Sequence, residues 1–405
     1  MDRRLVAILL VVFVGIAGAS LILPILPLYA ERQYGLTPQL ITLLNTSFFA
    51  AQFVVGPYLG RLSDKYGRVP ILIISQIGTA ISFLMIAFAP NAATLFAARI
   101  LDGITGGNII VAQAYVTDIT PREKRTEALG YIFAVFGVGF MFGPVLGGGL
   151  ARYGARVPYI VAAMAALAVV VLTWFVLDES LTPEQRLESR NTRKAGLGFG
   201  EIVTNVPLLL ILLITFVGQF AFGLFQSTFS LYGAAMLFKG YSEDSTNLGI
   251  GLIFAAVGFS QLITQMFLIR RALKRFNEAT VVAAGNLFRM IGLLIFAVIT
   301  TPWLGPIGSM FFAMGMGFAI PAAQSLATHT VSEKVRGGVL GVYQSISNLA
   351  VIFSSAIAGI IFASHPTLPF WLGALLAALA LIPSAVLMRR MATPAGKTVK
   401  PPIGH

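Results

Sequence analysis

Twelve apolar runs separated by short polar breaks dominate this sequence. About 20 apolar residues in a helix span the roughly 30 Å hydrocarbon core of a bilayer, so each run predicts a crossing. The predicted spans are 5–29, 38–59, 71–89, 92–117, 127–151, 158–177, 207–238, 247–269, 279–300, 303–328, 338–363 and 369–388. Only 11% of the residues are charged, less than half of the roughly 25% that a soluble domain carries. A soluble surface needs that charge, so a soluble fold is excluded. An outer-membrane barrel would show alternating segments of roughly ten residues, which are not the pattern here. The expected fold class is therefore an all-α membrane protein with twelve transmembrane helices. No cysteine is present, which removes disulfides and thiolate metal sites. Arg3 and Arg4 precede the first run and no small-residue cleavage site follows it, so the run is expected to stay as a helix.

The longest polar stretch, 178–206, divides the chain. The expected domains are an N-terminal six-helix bundle (1–177), a cytoplasmic linker (178–206), a C-terminal six-helix bundle (207–390) and a cytoplasmic tail (391–405). With both termini on one side, that side holds 22 of the 28 Lys and Arg residues and the opposite side four, with Arg99 and Arg289 inside spans. The positive-inside rule then places both termini in the cytoplasm, in an inner (plasma) membrane. The +12 net charge is explained by these loops, not by nucleic-acid binding. The halves also repeat. Ala112-Gln113, Thr117 and Leu129-Gly130 recur as Ala323-Gln324, Thr328 and Leu340-Gly341, and both copies straddle a short charged loop. An offset near half the chain signals duplicated halves of equal orientation.

The break after the second span reads Gly60-Arg61-Leu62-Ser63-Asp64-Lys65-Tyr66-Gly67-Arg68. The fourth span carries Arg99-Ile100-Leu101-Asp102-Gly103 and the fifth carries Gly139 to Gly148 with Gly143-Pro144 and Gly147-Gly148. The first span holds Leu23-Pro24-Ile25-Leu26-Pro27. Together these resemble the major facilitator superfamily: G-x-L-x-D-x-x-G-R after helix 2, R-x-x-x-G in helix 4, and the antiporter signature G-x-x-x-G-P-x-x-G-G in helix 5. Within that family the tetracycline-type and multidrug proton antiporters are most similar. The resemblance implies two bundles related by a pseudo-two-fold axis, alternating access, and a monomer. It also implies gating by Gly60, Arg61, Asp64, Lys65, Gly67 and Arg68, with Asp118, Arg122 and Arg125 joining the charged cluster. A bundle of topology anchors is the plainer reading of the same charges. Gly139, Gly143 and Gly147 share one helical face and allow close helix contact, while the link of this motif to export is carried by the resemblance.

One acid, Asp102, lies deep within a span, three residues after Arg99 on the same helical face. A charge in hydrocarbon is costly and therefore functional by default. Asp102 is either a proton carrier tuned by Arg99 or half of a permanent ion pair. Proton-coupled relatives often carry their acid in helix 1, and here the first span has none between residues 5 and 29. Arg289 is expected to snorkel or to pack, and to favour an anionic substrate if it faces the cavity. Asn45, Asn108, Gln113, Gln219, Phe220, Gln226 and Gln324 are candidate cavity residues. The Phe-rich seventh span and the Met- and Phe-rich tenth form an adaptable apolar wall in this reading. No nucleotide-binding loop or catalytic triad is present, and His329, His365 and His405 are read as loop or tail residues. The expected function is proton-driven efflux of small amphipathic compounds with no cofactor, the proton gradient being the energy source. Lipid or glycolipid translocation and uniport of an anionic metabolite are the alternatives. An enzyme or a non-transporting receptor is disfavoured by the duplicated halves and the missing catalytic groups.

Overall fold

The computed structural model describes residues 3–106, 108–121, 124–182, 202, 204–331 and 335–392. Twelve membrane-length apolar helices appear among them: α1 (Arg3–Tyr34), α2 (Pro38–Tyr66), α3 (Arg68–Ala87), α4 (Ala92–Ile119), α5 (Gly130–Ala151), α6 (Val157–Val176), α7 (Val206–Leu237), α8 (Glu243–Arg275), α9 (Glu278–Val298), α10 (Pro302–His329), α11 (Gly338–Ser364) and α12 (Leu368–Arg390). Each coincides with one of the predicted spans. Several run past the apolar segment, because a helix does not end where the hydrocarbon does. The largest difference is at α2, which continues through Gly60–Tyr66, a stretch that the sequence reads as a loop. The helix runs through Pro57 and Gly60, and Gly67 ends it. Its φ of 109° and ψ of 158° lie in a region open essentially only to glycine. His329, read as a loop residue, is the last residue of α10.

Two helices are broken where they line the interior. In α1 the helix stops at Ile22 and restarts at Leu26, because Pro27 has no N–H to offer the Leu23 carbonyl and its ring crowds the preceding turn. The Ser230 hydroxyl of α7 donates to that carbonyl at 3.5 Å. In α4 the break falls after Thr105, and Gln52 of α2 donates to the Gly106 carbonyl at 3.1 Å. Broken helices survive at membrane depth where side chains re-satisfy the freed backbone.

Twelve crossings place both termini on one face, here termed the termini face, and the loops after the odd-numbered helices on the distal face. The halves meet along two seams, α5 with α8 and α2 with α11. These seams exchange under a six-helix shift, as duplicated halves require. Both seams use glycine. A Cβ on Gly148 would strike the Asn247 carbonyl, one on Gly251 the Pro144 carbonyl, and one on Gly359 the backbone of Pro38 and Gln39. Toward the termini face the repeat-related Gly130 and Gly341 both look onto open space. Polar links between the halves sit near the distal face: Arg32 with Glu243 at 3.2 Å, Thr46 with Ser355 at 2.9 Å, and the Gly359 N–H donating to Thr42 at 3.1 Å.

The second half is cemented by rings. Phe225 and Phe229 of α7 pack with Phe254, Phe296, Phe312 and Phe370, the Phe225–Phe312 centroids being 4.3 Å apart. The expectation that these aromatics line a substrate wall is corrected: Phe225, Phe229 and Phe312 are buried in contact with one another. The outer surface is apolar, and Trp174, Trp303 and Trp371 lie exposed near helix ends, where indole rings favour the headgroup level.

Within the first half, Gly139, Gly143 and Gly147 all face α1, meeting Ile16, Ala17, Ser20 and Leu21. Gly143→Leu is expected to destabilise by at least the ~1–3 kcal/mol typical of overpacking. Gly149→Leu, where a Cβ meets nothing within 4 Å, serves as its control. Thermal unfolding in detergent reads the difference, and coincident midpoints would contradict this packing.

Candidate functional site

The helix 2–3 motif builds a charge cluster on the termini face. Arg68 donates to Asp64 at 2.7 Å, to the Ser63 hydroxyl at 2.6 Å, and through Nε to Asp118 of α4 at 3.0 Å. The planar guanidinium suits this multidentate role, which an ammonium would fill poorly. Glu179, beyond α6, accepts from the Arg68 and Val69 N–H groups at 2.9 and 3.2 Å and so caps the start of α3. Arg61 and Lys65 are exposed, and Lys65 lies over the Tyr66 ring at 4.8 Å. Gly60 has only Ile110 within reach of a Cβ, at 4.0 Å. Arg122 and the Arg125 side chain lie outside the described residues. The cluster therefore ties α2, α3 and α4 of one half together. Glu179 was not read from the sequence, since it sits in the linker with no local pattern to mark it.

The second half has a counterpart of inverted sign. Glu278, at the start of α9, accepts from Ser325 at 2.5 Å and lies 3.4 Å from His329 of α10. His329 and Asp118 are related by the same repeat offset.

The main cavity, about 330 Å³, lies at mid-depth and is walled chiefly by α1 to α6, with Gln226 of α7 closing it from the second half. That volume falls within the range of small-molecule sites, about 300–1,000 Å³. Arg99 and Asp102 stand in its wall, 7% and 6% exposed, and Arg99 donates to Asp102 at 2.7 Å. The guanidinium lies 4.3 Å from the centre of the Phe48 ring, a cation–π contact that strengthens when desolvated. Close helix approach makes this geometry possible, since a Cβ on Gly103 would strike the Phe48 carbonyl and one on Gly78 the Thr105 side chain.

Three buried polar atoms on the lining lack a protein partner: Arg99 Nε, Gln76 Oε1 and Gln226 Oε1. With Asn45 and Gln52 they give an apolar chamber a few convergent hydrogen-bonding groups, the usual form of a small-molecule site. Asn45 and Gln226 both stand on this lining. Gln113, Phe220 and Gln324 are not on this lining, Phe220 packing instead on Phe216 at 6.0 Å. The Asn108 side chain lies outside the described residues. Gln219 lines a separate small chamber with Arg289. Gln52, Gln76 and Phe48 were missed, although a glutamine inside an apolar span is itself a signal. Gly148 and Pro144 of the fifth-helix motif meet α8, while the other motif glycines meet α1.

Two bundles, paired seams and a mid-depth cavity identify a transporter architecture, and comparison with known proteins gives its family. The family model described as Major Facilitator Superfamily matches residues 8–247 and 220–404. The chain belongs to the Major Facilitator Superfamily. It is a transporter, not an enzyme, and falls in the tetracycline and multidrug branch. It is 28% identical over 403 residues to the class H tetracycline resistance protein of Pasteurella multocida, covering 97% of this chain and 98% of that one. It is 25% identical to multidrug resistance protein 2 of Bacillus subtilis, covering 89% and 88%. The solved structure of the nucleoside transporter NupG (D323A mutant) superposes with a TM-score of 0.79 at 12% identity, covering 96% of this chain and 99% of that one, and so shares the fold.

A buried ion pair broken on one side leaves an uncompensated charge, at about 3–5 kcal/mol. Arg99→Met alone and Asp102→Leu alone are each expected to destabilise by that order. The double variant is expected to unfold near the wild-type midpoint. A double variant as unstable as the worse single would show that the two charges do not answer each other.

Proposed function

We propose that this transporter exports small amphipathic compounds in exchange for protons, with Asp102 as the proton-carrying acid. The observation that supports the reading is an acid–base pair buried in the wall of a drug-sized cavity. Asp102 is held by Arg99 at 2.7 Å. A proton on its carboxylate removes the negative charge, and a polar or cationic substrate group that engages Asp102 competes with the proton for the same oxygens. Loading and protonation then oppose each other, as exchange requires. A ligand shifts an equilibrium between states only by its differential affinity, and this pair supplies a difference. The similar tetracycline and multidrug resistance proteins support a drug or drug-like substrate. No cofactor is needed, and a monomer carries the whole site.

The 22-to-four distribution of basic residues supports a termini face on the cytoplasmic side of the inner membrane. The distal links then close the outer side, and the state described here is open to the cytoplasm. Alternating access opens the distal seams and closes Gly130 and Gly341 against the opposite half, with the Arg68 cluster moving as one rigid part of the gate.

The purified protein in liposomes with a trapped pH dye tests this against cationic, neutral and anionic amphiphiles. Substrate-dependent proton flux that drops at least tenfold in Asp102→Asn is expected. Substrate movement with no proton flux would overturn antiport in favour of uniport or lipid translocation.

A further inference from the structure

Arg289 lies in α9, 2% exposed, among α7, α10 and α11. It does not snorkel. Its guanidinium fills the notch left by Gly218 of α7, where any Cβ would overlap Nη1. Arg99 has Asp102 beside it, whereas among the described residues no carboxylate pairs with Arg289. A charge without a counter-charge among the described residues is a situation that costs several kcal/mol in a low-dielectric interior.

Arg289 borders a small chamber that also meets Thr215, Gln219, Asn286 and Tyr343. Three buried atoms on its wall lack a partner: Arg289 Nε, Gln219 Oε1 and Asn286 Oδ1. The free volume is about 10 Å³, near the minimum for one water-sized guest. The chamber shares no lining residue with the main cavity, but α7 borders both. Gln219 and Gln226 are two turns apart on one face of α7, about 10 Å along the axis, and Gln226 lines that cavity. That separation is within the length of an amphipathic molecule.

We propose that the Arg289 chamber is a monovalent-anion subsite that takes the carboxylate of an amphipathic substrate whose apolar body sits in the main cavity. The inference rests on the transport reading for the role of the cavity but not on proton coupling. One carboxylate oxygen fits the chamber and supplies the missing counter-charge through a charge-assisted bond to Arg289. Gln219, with its amide turned so that nitrogen faces the chamber, adds a second donor. The Gly218 notch explains why a peripheral helix can present its cation inward.

The test is equilibrium binding to the full chain in detergent, read by thermal unfolding and calorimetry with no gradient present. The probes are 4-tert-butylbenzoate, its neutral amide, and sodium chloride. Wild type should bind the carboxylate at least tenfold more tightly than the amide. Arg289→Met should abolish that preference, and Arg289→Lys should keep part of it. Should the methionine variant fail to fold, the lysine variant and chloride competition carry the test. Equal affinity for acid and amide, or full preference in Arg289→Met, would overturn the subsite. Stabilisation by chloride with none by the carboxylate would overturn the substrate assignment and leave a resident inorganic anion. Because no proton flux is measured, failure here leaves the antiport reading standing, and a dead antiport assay leaves this one untouched.

Discussion

In hydrocarbon every charge and every free backbone group must find its partner within the protein, and this chain is organised around that requirement. Arg99 and Asp102 answer each other at 2.7 Å. The carbonyls freed where α1 and α4 break are met by Ser230 and Gln52. Water would satisfy such groups at no structural cost, but lipid cannot. Six of the ten buried side-chain atoms without a partner among the described residues lie on two surfaces, the main cavity and the Arg289 chamber. Such groups can be answered by a polar guest, which makes these two places conspicuous.

The seams follow from the opposite need, which is to associate without strong attraction. Lipid is as apolar as leucine, so helices gain little from hydrophobic burial against each other and depend on close backbone approach. Glycines at 148, 251, 258 and 359 set neighbouring backbones against one another. Polar links there are few and near the distal face. Such a contact can be remade elsewhere at small cost, whereas the interlocked phenylalanines inside the second half cannot. Each half is stiff, and the joint between the halves is not.

Much of this was legible in the sequence, for identifiable reasons. The twelve spans followed from apolar length alone. The Arg68–Asp64 part of the charge cluster followed from one local motif, and Asp118 was a candidate to join it because it stands at the same end of α4. Asp102 was conspicuous because an acid in a span is rare. What escaped was three-dimensional. Nothing local marks Glu179 as the cap of α3, since its partners lie more than a hundred residues away. The phenylalanines of α7 read equally well as a binding wall or as packing, because periodicity places a ring on a face without saying what it faces. Gln52 and Gln76 showed the same polarity as Asn45 but were not separated from it by spacing.

The cavity draws nearly all of its wall from one half, while the other half is locked by its ring cluster. This asymmetry divides labour between two descendants of one duplicated unit. The first half can accumulate substitutions that reshape the chamber, because the second supplies a stable lever for it to work against. In evolutionary terms the shape of the main cavity is left largely to one copy of the unit. A lineage built this way can remodel that cavity by altering a few side chains on α1, α2 and α4 without disturbing the ring cluster.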